Sequence, residues 1–446
     1  MIDKLRHFLA SPELARRLEK LASGVPAAAP LSLRVELGTF DSDWLYQLPA
    51  HGPFWYRAQP AQQEYRLGIG HALQLASAGR HRFAALDSAF AGCCQHWRSE
   101  GPALAFAGFA FDTSNNTPLP NALLAIPAIL LENINGQCSA TLSTPAGRSQ
   151  QAMAEWQQYL LTPTTQPRPT KLPGQPPETL AERAWLARVN AALRDITAHR
   201  VDKIVLSRRR KIVARQAFSP ARVLGRLLEQ QPAGLIYAHG NGQQTFLGAT
   251  PERLVSLQGN TLNADALAGT AWPGSLALAG QKNQHEQALV VHAVCAALAP
   301  LCVTSPQVSP TQEHPAGHLR HLRSQITARV QPGTTLFDLV RSLHPTPAVG
   351  GFPVVAALDW LSQHAERRAA WYSGGFGMLS PSGDGEFSVA LRSALLDGNT
   401  AELQAGAGIV AGSDPLQELA ETEAKLGTLL AALGPASAIN KTGTMD

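Results

Sequence analysis

The chain has 446 residues, 45% of them apolar, which is enough for a large core in one big domain or in two or three ordinary ones. Its 37 basic and 33 acidic residues leave a net charge of +4, too even a balance for a protein that binds nucleic acid or another polyanion. Five cysteines (Cys93, Cys94, Cys138, Cys295 and Cys302) form no CxxC pair, which excludes a disulfide scaffold and a cysteine zinc site and points to a reduced, cytoplasmic protein.

The first 22 residues, MIDKLRHFLASPELARRLEKLA, read as a charged amphipathic helix without the apolar centre of a signal peptide. Strands are expected at 32–40 and 64–73. The longest apolar stretch, 122–131, is too short to span a bilayer and is broken by Pro127; it reads as a buried strand pair, and no membrane partner is expected. Residues 162–178, TPTTQPRPTKLPGQPPE, have no apolar periodicity and predict a linker or long surface loop. This divides the chain into an N-terminal part, 1–161, and a second region, 179–434.

The second region opens with a helix over 180–198. Strands follow at 203–213, 234–240, 243–249, 252–260, 371–379, 385–398 and 401–410, several joined by Gly, Asn or Asp turns of hairpin type. Helices are expected at 282–299, 353–366 and 415–434, and a disordered tail at 435–446. Long antiparallel strands with helices set among them make this an α+β chain.

Lys203 begins the apolar strand KIVLSRR and shares a face with Val205 and Ser207. Burial there disfavours an ammonium, which suits a lysine acting as a general base; a strand-end lysine reaching solvent is the commoner outcome. The run Arg208–Lys211 reads as a solvated strand end. Glu252 follows Pro251 in a turn between strands, where an exposed glutamate is the ordinary reading. On the helix around 415–434, Glu418, Glu421 and Lys425 fall on one face, and Glu286 lies on the helix 282–299. Carboxylates from two helices could hold one hard cation, though a solvated charged face has the same spacing. His285 beside Glu286 lacks the HExxH context of a zinc site. The stretches 265–274 and 403–410 offer backbone N–H groups to an anion, but neither is a nucleotide-binding loop. Arg392, in an apolar strand, needs an anionic partner if buried.

Taken together, KIVLSR, FLGATPERL, ALAGT, KNQHEQALVV, HPTPAVGGFP, YSGGFG, VALRSA, AGAGIV and GSDPLQELAETEAKL closely resemble the chorismate-utilising enzymes, a family that includes isochorismate, salicylate, anthranilate and aminodeoxychorismate synthases. The match runs over about residues 180–432; the first 160 residues match loosely, at AFAGFAFD (105–112). The resemblance implies an anthranilate synthase component I-like fold, with two large antiparallel sheets packed face to face, helices outside and the active site between the sheets. It also implies Mg²⁺, with Glu286 and Glu421 as ligands and Glu418 as a nearby carboxylate. Gly269, Thr270, Tyr372, Arg392, Gly406, Gly408 and Lys425 match substrate-holding positions. Lys203 matches the water-activating base and Glu252 the general acid. The presence of Lys203, together with Ala348 and Val354 in HPTPAVGGFPV, resembles the isochorismate-forming members more than the ammonia-using or salicylate-forming ones. KNQxE resembles the menaquinone-pathway type, as against a siderophore pathway. Such a protein is expected to be a monomer acting on chorismate without a glutaminase subunit; an inactive chorismate binder should have lost one of the catalytic residues. The chain departs from the family at Asn283, at Gln287 and in the segment between Thr270 and Lys282, which is shorter than usual and has Trp272–Pro273–Gly274 in place of the common RG pair.

Overall fold

A computed structural model describes residues 2–40, 44–113, 118–161, 172, 179–273, 278 and 280–434. The expected linker, apart from Leu172, and the expected tail lie outside the described residues. The N-terminal helix is two helices, Ile2–Leu9 and Pro12–Ala22. Pro12 has no N–H to donate to the preceding turn, and the Ser11 side chain caps the second helix by accepting from the Glu13 N–H at 3.2 Å.

Among the described residues the strands form one 12-stranded and one 10-stranded sheet. Pairing is antiparallel except between Pro30–Thr39 and Arg98–Glu100. The sheets face each other across an aromatic core in which Trp55, Tyr237 and Phe246 of the larger sheet meet Phe106 and Phe376 of the smaller one. The outer face of the larger sheet buries Leu5, Leu14, Leu224 and Leu429 from its covering helices. The smaller sheet is covered by Arg82–His96, Gln281–Leu298 and Leu336–Leu343, through Phe83, Val290 and Phe337. This is the α+β, two-sheet architecture expected from the sequence.

The strand order repeats. In the second region a first strand (Lys203–Val213) is followed by a hairpin (Leu235–Asn241, Gln244–Thr250), a crossing to the other sheet (Arg253–Gln258), a later hairpin there (Gly375–Leu379, Gly385–Val389) and a crossing back (Ser393–Asp397, Thr400–Val410). The N-terminal part follows the same path with Pro30–Thr39, Pro53–Gln59, Glu64–Ile69, Leu73–Ser77, Ala105–Phe109, Ala122–Ile126, Ile129–Ile134 and Gln137–Pro145. The halves join where equivalent strands pair, Pro53–Gln59 with Leu235–Asn241 and Ala105–Phe109 with Gly375–Leu379.

Three sequence expectations change at the crossings, the first being the strand expected over 64–73, which ends at Ile69 and gives way to Leu73–Ser77 in the other sheet. The apolar stretch 122–131 is two strands, but they lie in different sheets and do not pair with each other. The strand expected over 385–398 is likewise two, one in each sheet. Continuous apolar residues continue the buried pattern on both sides of a bend, so hydropathy alone does not mark where the chain changes sheet.

Candidate active site

The crossings of the second region build the site. Glu252 occupies the corner between Gln244–Thr250 and Arg253–Gln258, and Arg392 the corner between Gly385–Val389 and Ser393–Asp397. The Val389 N–H donates to the Glu252 carbonyl at 3.0 Å, tying the corners together. Arg392 sits at φ 46°, a left-handed conformation unusual for a residue with a Cβ. These bends aim both side chains into a cavity between the sheets, which is also lined by Gly269, Thr270, Glu286, Tyr372, Gly406, Gly408, Glu421 and Lys425. Ten of the twelve residues singled out in the sequence therefore share one cavity. Val205, Leu267, Ala348, Val349 and Leu391 give it apolar walls.

The other two lie beside it. Lys203 is fully buried, so it does not reach solvent as a strand-end lysine would. It sits behind Gly408, and its ammonium is 2.9 Å from Glu286 Oε1. Glu418 belongs to an adjoining pocket with Thr270, Lys282 and Glu421, and its Oε1 accepts from the Lys282 ammonium at 2.5 Å. Among the described residues no three His, Cys, Asp or Glu side chains converge as a metal cluster. Glu286 and Glu421 face the cavity from two different helices. Two carboxylates with room beside them fit a hard divalent cation that takes its remaining ligands from substrate and water.

The charges are arranged in pairs. Lys425 bridges Glu421 Oε1 at 2.6 Å and the Gly406 carbonyl at 2.9 Å. Burial pushes the Glu286 carboxyl upward, but Lys203, then Lys282 and Lys425, outweigh it and hold the group below the ordinary carboxylate range. Glu252 is 3% exposed and has no such dominant cation. Burial first, then the Asp265 charge, raise it to about 8, so at neutral pH it carries its proton. Burial and then the neighbouring Glu421 push the Glu418 carboxyl up. Burial lowers the Arg392 guanidinium to about 10, leaving it a cation at neutral pH.

His321 escaped the sequence analysis. It lines the cavity, donates from Nδ1 to the Gly269 carbonyl at 2.9 Å and accepts on Nε2 from Arg392. Burial and the neighbouring Arg392 hold it well below the ordinary histidine range, so it is neutral with one tautomer fixed by its two partners. Gly269, at φ 66°, forms the bulge that turns this carbonyl toward His321. No element is expected from sequence over the surrounding HLRHLRSQI, whose mixed charged and apolar residues hide a buried histidine in the strand Leu319–Arg329. Arg208 also differs from expectation: it is buried, donates to Thr422 at 2.8 Å and pairs with Glu423, clamping the helix Pro415–Leu433 to its strand.

A Cβ at Gly408 would stand 2.5 Å from Glu286 Oε1 and 2.8 Å from Lys203 Cε. Gly408→Ala is expected to fold, because the atoms met are side-chain ends, yet it displaces the Lys203–Glu286 pair. A shift of about 1 Å in a reacting group costs on the order of 100-fold, so kcat/KM should fall by about that factor while the melting temperature stays near wild type. Unchanged kinetics would show that the pair tolerates movement.

A buried acid, a buried lysine, paired carboxylates and an arginine around one cavity equip an enzyme for acid–base chemistry on a small polyanion. The chain belongs to the chorismate binding enzyme family, which it matches over residues 28–434. It is 32% identical over 412 residues to the salicylate biosynthesis isochorismate synthase of Pseudomonas aeruginosa, covering 85% of each chain. To the isochorismate synthase MenF of Bacillus subtilis it is 33% identical over 267 residues, 58% of this chain and 57% of that one. Its fold is that of the menaquinone-specific isochorismate synthase MenF from Escherichia coli, with a TM-score of 0.79 at 24% identity over 94% of this chain and 98% of that one. Anthranilate synthase component I from Streptococcus pneumoniae shares it with a TM-score of 0.62 at 20% identity, over 73% and 80%.

Proposed function

We propose that this chain is an isochorismate synthase: it interconverts chorismate and isochorismate by adding water at ring C2 and releasing the C4 hydroxyl. What supports the reading is a buried carboxyl, Glu252, in the wall of the cavity and a fully buried lysine, Lys203, beside that cavity. The reaction needs one group to take a proton from water and another to give one to a departing hydroxyl. Lys203 must first release the ammonium proton it holds toward Glu286; as the free amine it takes a proton from water, the ring double bonds shift as that water attacks C2, and Glu252 protonates the C4 hydroxyl as it leaves. In the reverse direction the two exchange roles.

Arg392, aligned by His321, and the Tyr372 hydroxyl bind the enolpyruvyl carboxylate, while Lys425 and the backbone at Gly269, Thr270, Gly406 and Gly408 hold the rest of the ring system. Glu286 and Glu421 would hold Mg²⁺, with Glu418 supporting from the adjoining pocket. When bound, the ion supplies charge neutralisation at the ring carboxylate. Ala348 on the cavity wall, in HPTPAVGGFP, favours the isochorismate-forming reading over salicylate formation.

We assign the product to menaquinone biosynthesis, on KNQxE and on the similarity to relatives named MenF; neighbouring genes test the assignment against a siderophore pathway. The same reading makes the protein a cytoplasmic monomer without a glutaminase subunit. Among the described residues no helix is long and apolar enough to cross a membrane.

The test is product analysis by chromatography with chorismate, with and without Mg²⁺ and ammonium. A chorismate–isochorismate mixture that needs Mg²⁺, disappears with a chelator and ignores ammonium is expected. Salicylate with equal pyruvate would move the chain to the lyase branch, and an aminated product to the ammonia-using one. No turnover under any of these conditions would refute catalysis of chorismate chemistry.

A further inference from the structure

The segment 366–374 carries Tyr372 into the cavity but belongs to no helix or strand. Within and just before it, Ala365, Ala370 and Ser373 hold φ values of 52°, 47° and 53°. Residues with a Cβ keep such conformations only where their surroundings enforce them.

Arg368 is the main enforcer. Its guanidinium donates from Nη1 to the Ser373 hydroxyl at 2.5 Å and from Nη2 to the Val205 carbonyl at 3.0 Å. Val205 is two residues from Lys203 on the same strand, so one buried cation links the turn of Tyr372 to the strand of the base. The guanidinium lies 3.7 Å from the centre of the Phe111 ring, at the end of the AFAGFAFD segment of the N-terminal part. Two further buried groups fix the start of the turn. Glu366 accepts from the Ser207 N–H at 3.0 Å and pairs with Arg188. Gln404 accepts from the Ala369 N–H at 2.8 Å and donates to the Ser207 hydroxyl at 2.6 Å.

We propose that Arg368 is a positioning residue: its guanidinium sets the Tyr372 turn against the Lys203 strand and does not itself bind substrate, although it lines the cavity. The inference rests on the isochorismate synthase reading for its kinetic test and on geometry alone for its structural one. A ligand of the substrate would lose affinity when removed, whereas a positioning group loses alignment in the transition state.

The test uses the full chain with Arg368→Met, Arg368→Lys and Ser373→Ala. Arg368→Met is expected to lower kcat by about 100-fold with KM changed by no more than about 3-fold. Arg368→Lys, which can remake one of the two bonds, should recover about a tenth of wild-type kcat. If Arg368→Met fails to fold, Ser373→Ala decides, with an expected fall in kcat of about 5-fold and KM near wild type. Hydrogen exchange of the amides from Ala369 to Gly374, measured without substrate, should quicken in each variant that folds. That readout stands even if the wild type makes no isochorismate, so the two readings fail separately. A rise in KM with kcat unchanged would make Arg368 a substrate ligand and overturn the proposal. Wild-type kinetics in Ser373→Ala and Arg368→Met, or unchanged exchange, would overturn it as well.

Discussion

Lys203→Met is expected to cut turnover by about 1,000-fold, within the range general-base removal produces, and to change how the protein depends on pH and on divalent metal. The side chain is buried and its ammonium is 2.9 Å from Glu286 Oε1. Methionine fills similar space but leaves that carboxylate without its nearest cation. Breaking one side of a buried ion pair costs about 3–5 kcal/mol. In the wild type Glu286 is held below its ordinary value, mainly by Lys203 against the pull of burial. A depressed carboxyl contributes stability that is present above its unfolded pKa and lost as pH falls through the folded one. With Lys203 gone, burial dominates and that contribution reverses, so metal-free Lys203→Met should be more stable at pH 5 than at pH 8. Mg²⁺ should restore much of the loss at pH 8, since Glu286 regains a cation. Melting curves at both pH values with and without Mg²⁺, beside chorismate turnover, check this. A stable, metal-responsive variant with near-wild-type turnover would remove Lys203 from the role of base.

That pair also shows what the sequence could and could not reveal. The strand from Lys203 to Val213 was readable in full, although only Ile204–Leu206, Ile212 and Val213 in it are apolar, and the helices carrying Glu286 and Glu421 were readable from their spacing. Alternation put Lys203 on the same face as Val205, but nothing local said that the face pointed between two sheets. The sheet crossings at Glu252 and Arg392 are long-range outcomes. Val389 and Ser393 continue one apolar pattern, and only pairing with different neighbours assigns them to different sheets. His321 and Arg368 were hidden for the same reason. Each is a polar residue in a segment of mixed character, buried because strands distant in sequence close over it. In the N-terminal part the equivalent corners hold Gly70–Ala72 and Pro127–Ala128 in place of Glu252 and Arg392. That part repeats the path of the chain without repeating the chemistry, which is why only AFAGFAFD stood out there.

Glu252→Gln is expected to reduce turnover by about 1,000-fold while making the protein more stable in alkali. Both follow from the same burial. The carboxyl is raised from an ordinary 4.5 to about 8 by burial and then by Asp265. A group whose folded pKa lies above its unfolded value contributes stability that is complete below the unfolded pKa and is lost as pH rises through the folded one. Wild-type stability should therefore decline between about pH 4.5 and 8 on account of this residue. Each unit of that difference amounts to about 1.4 kcal/mol. Glutamine carries no titrating proton, so the melting temperature of Glu252→Gln should exceed that of wild type by a margin that widens from pH 5 to pH 9 and then levels. Activity runs the opposite way. In the proposed role Glu252 must hold its proton to release the C4 hydroxyl, so wild-type turnover of chorismate should fall above about pH 8, and the residual rate of the variant should show no such limb. Parallel stability curves for the two proteins across that range would mean that Glu252 is ionised at neutral pH and that another group gives up the proton. Widening stability curves together with an active variant would leave Glu252 buried and protonated but outside the reaction.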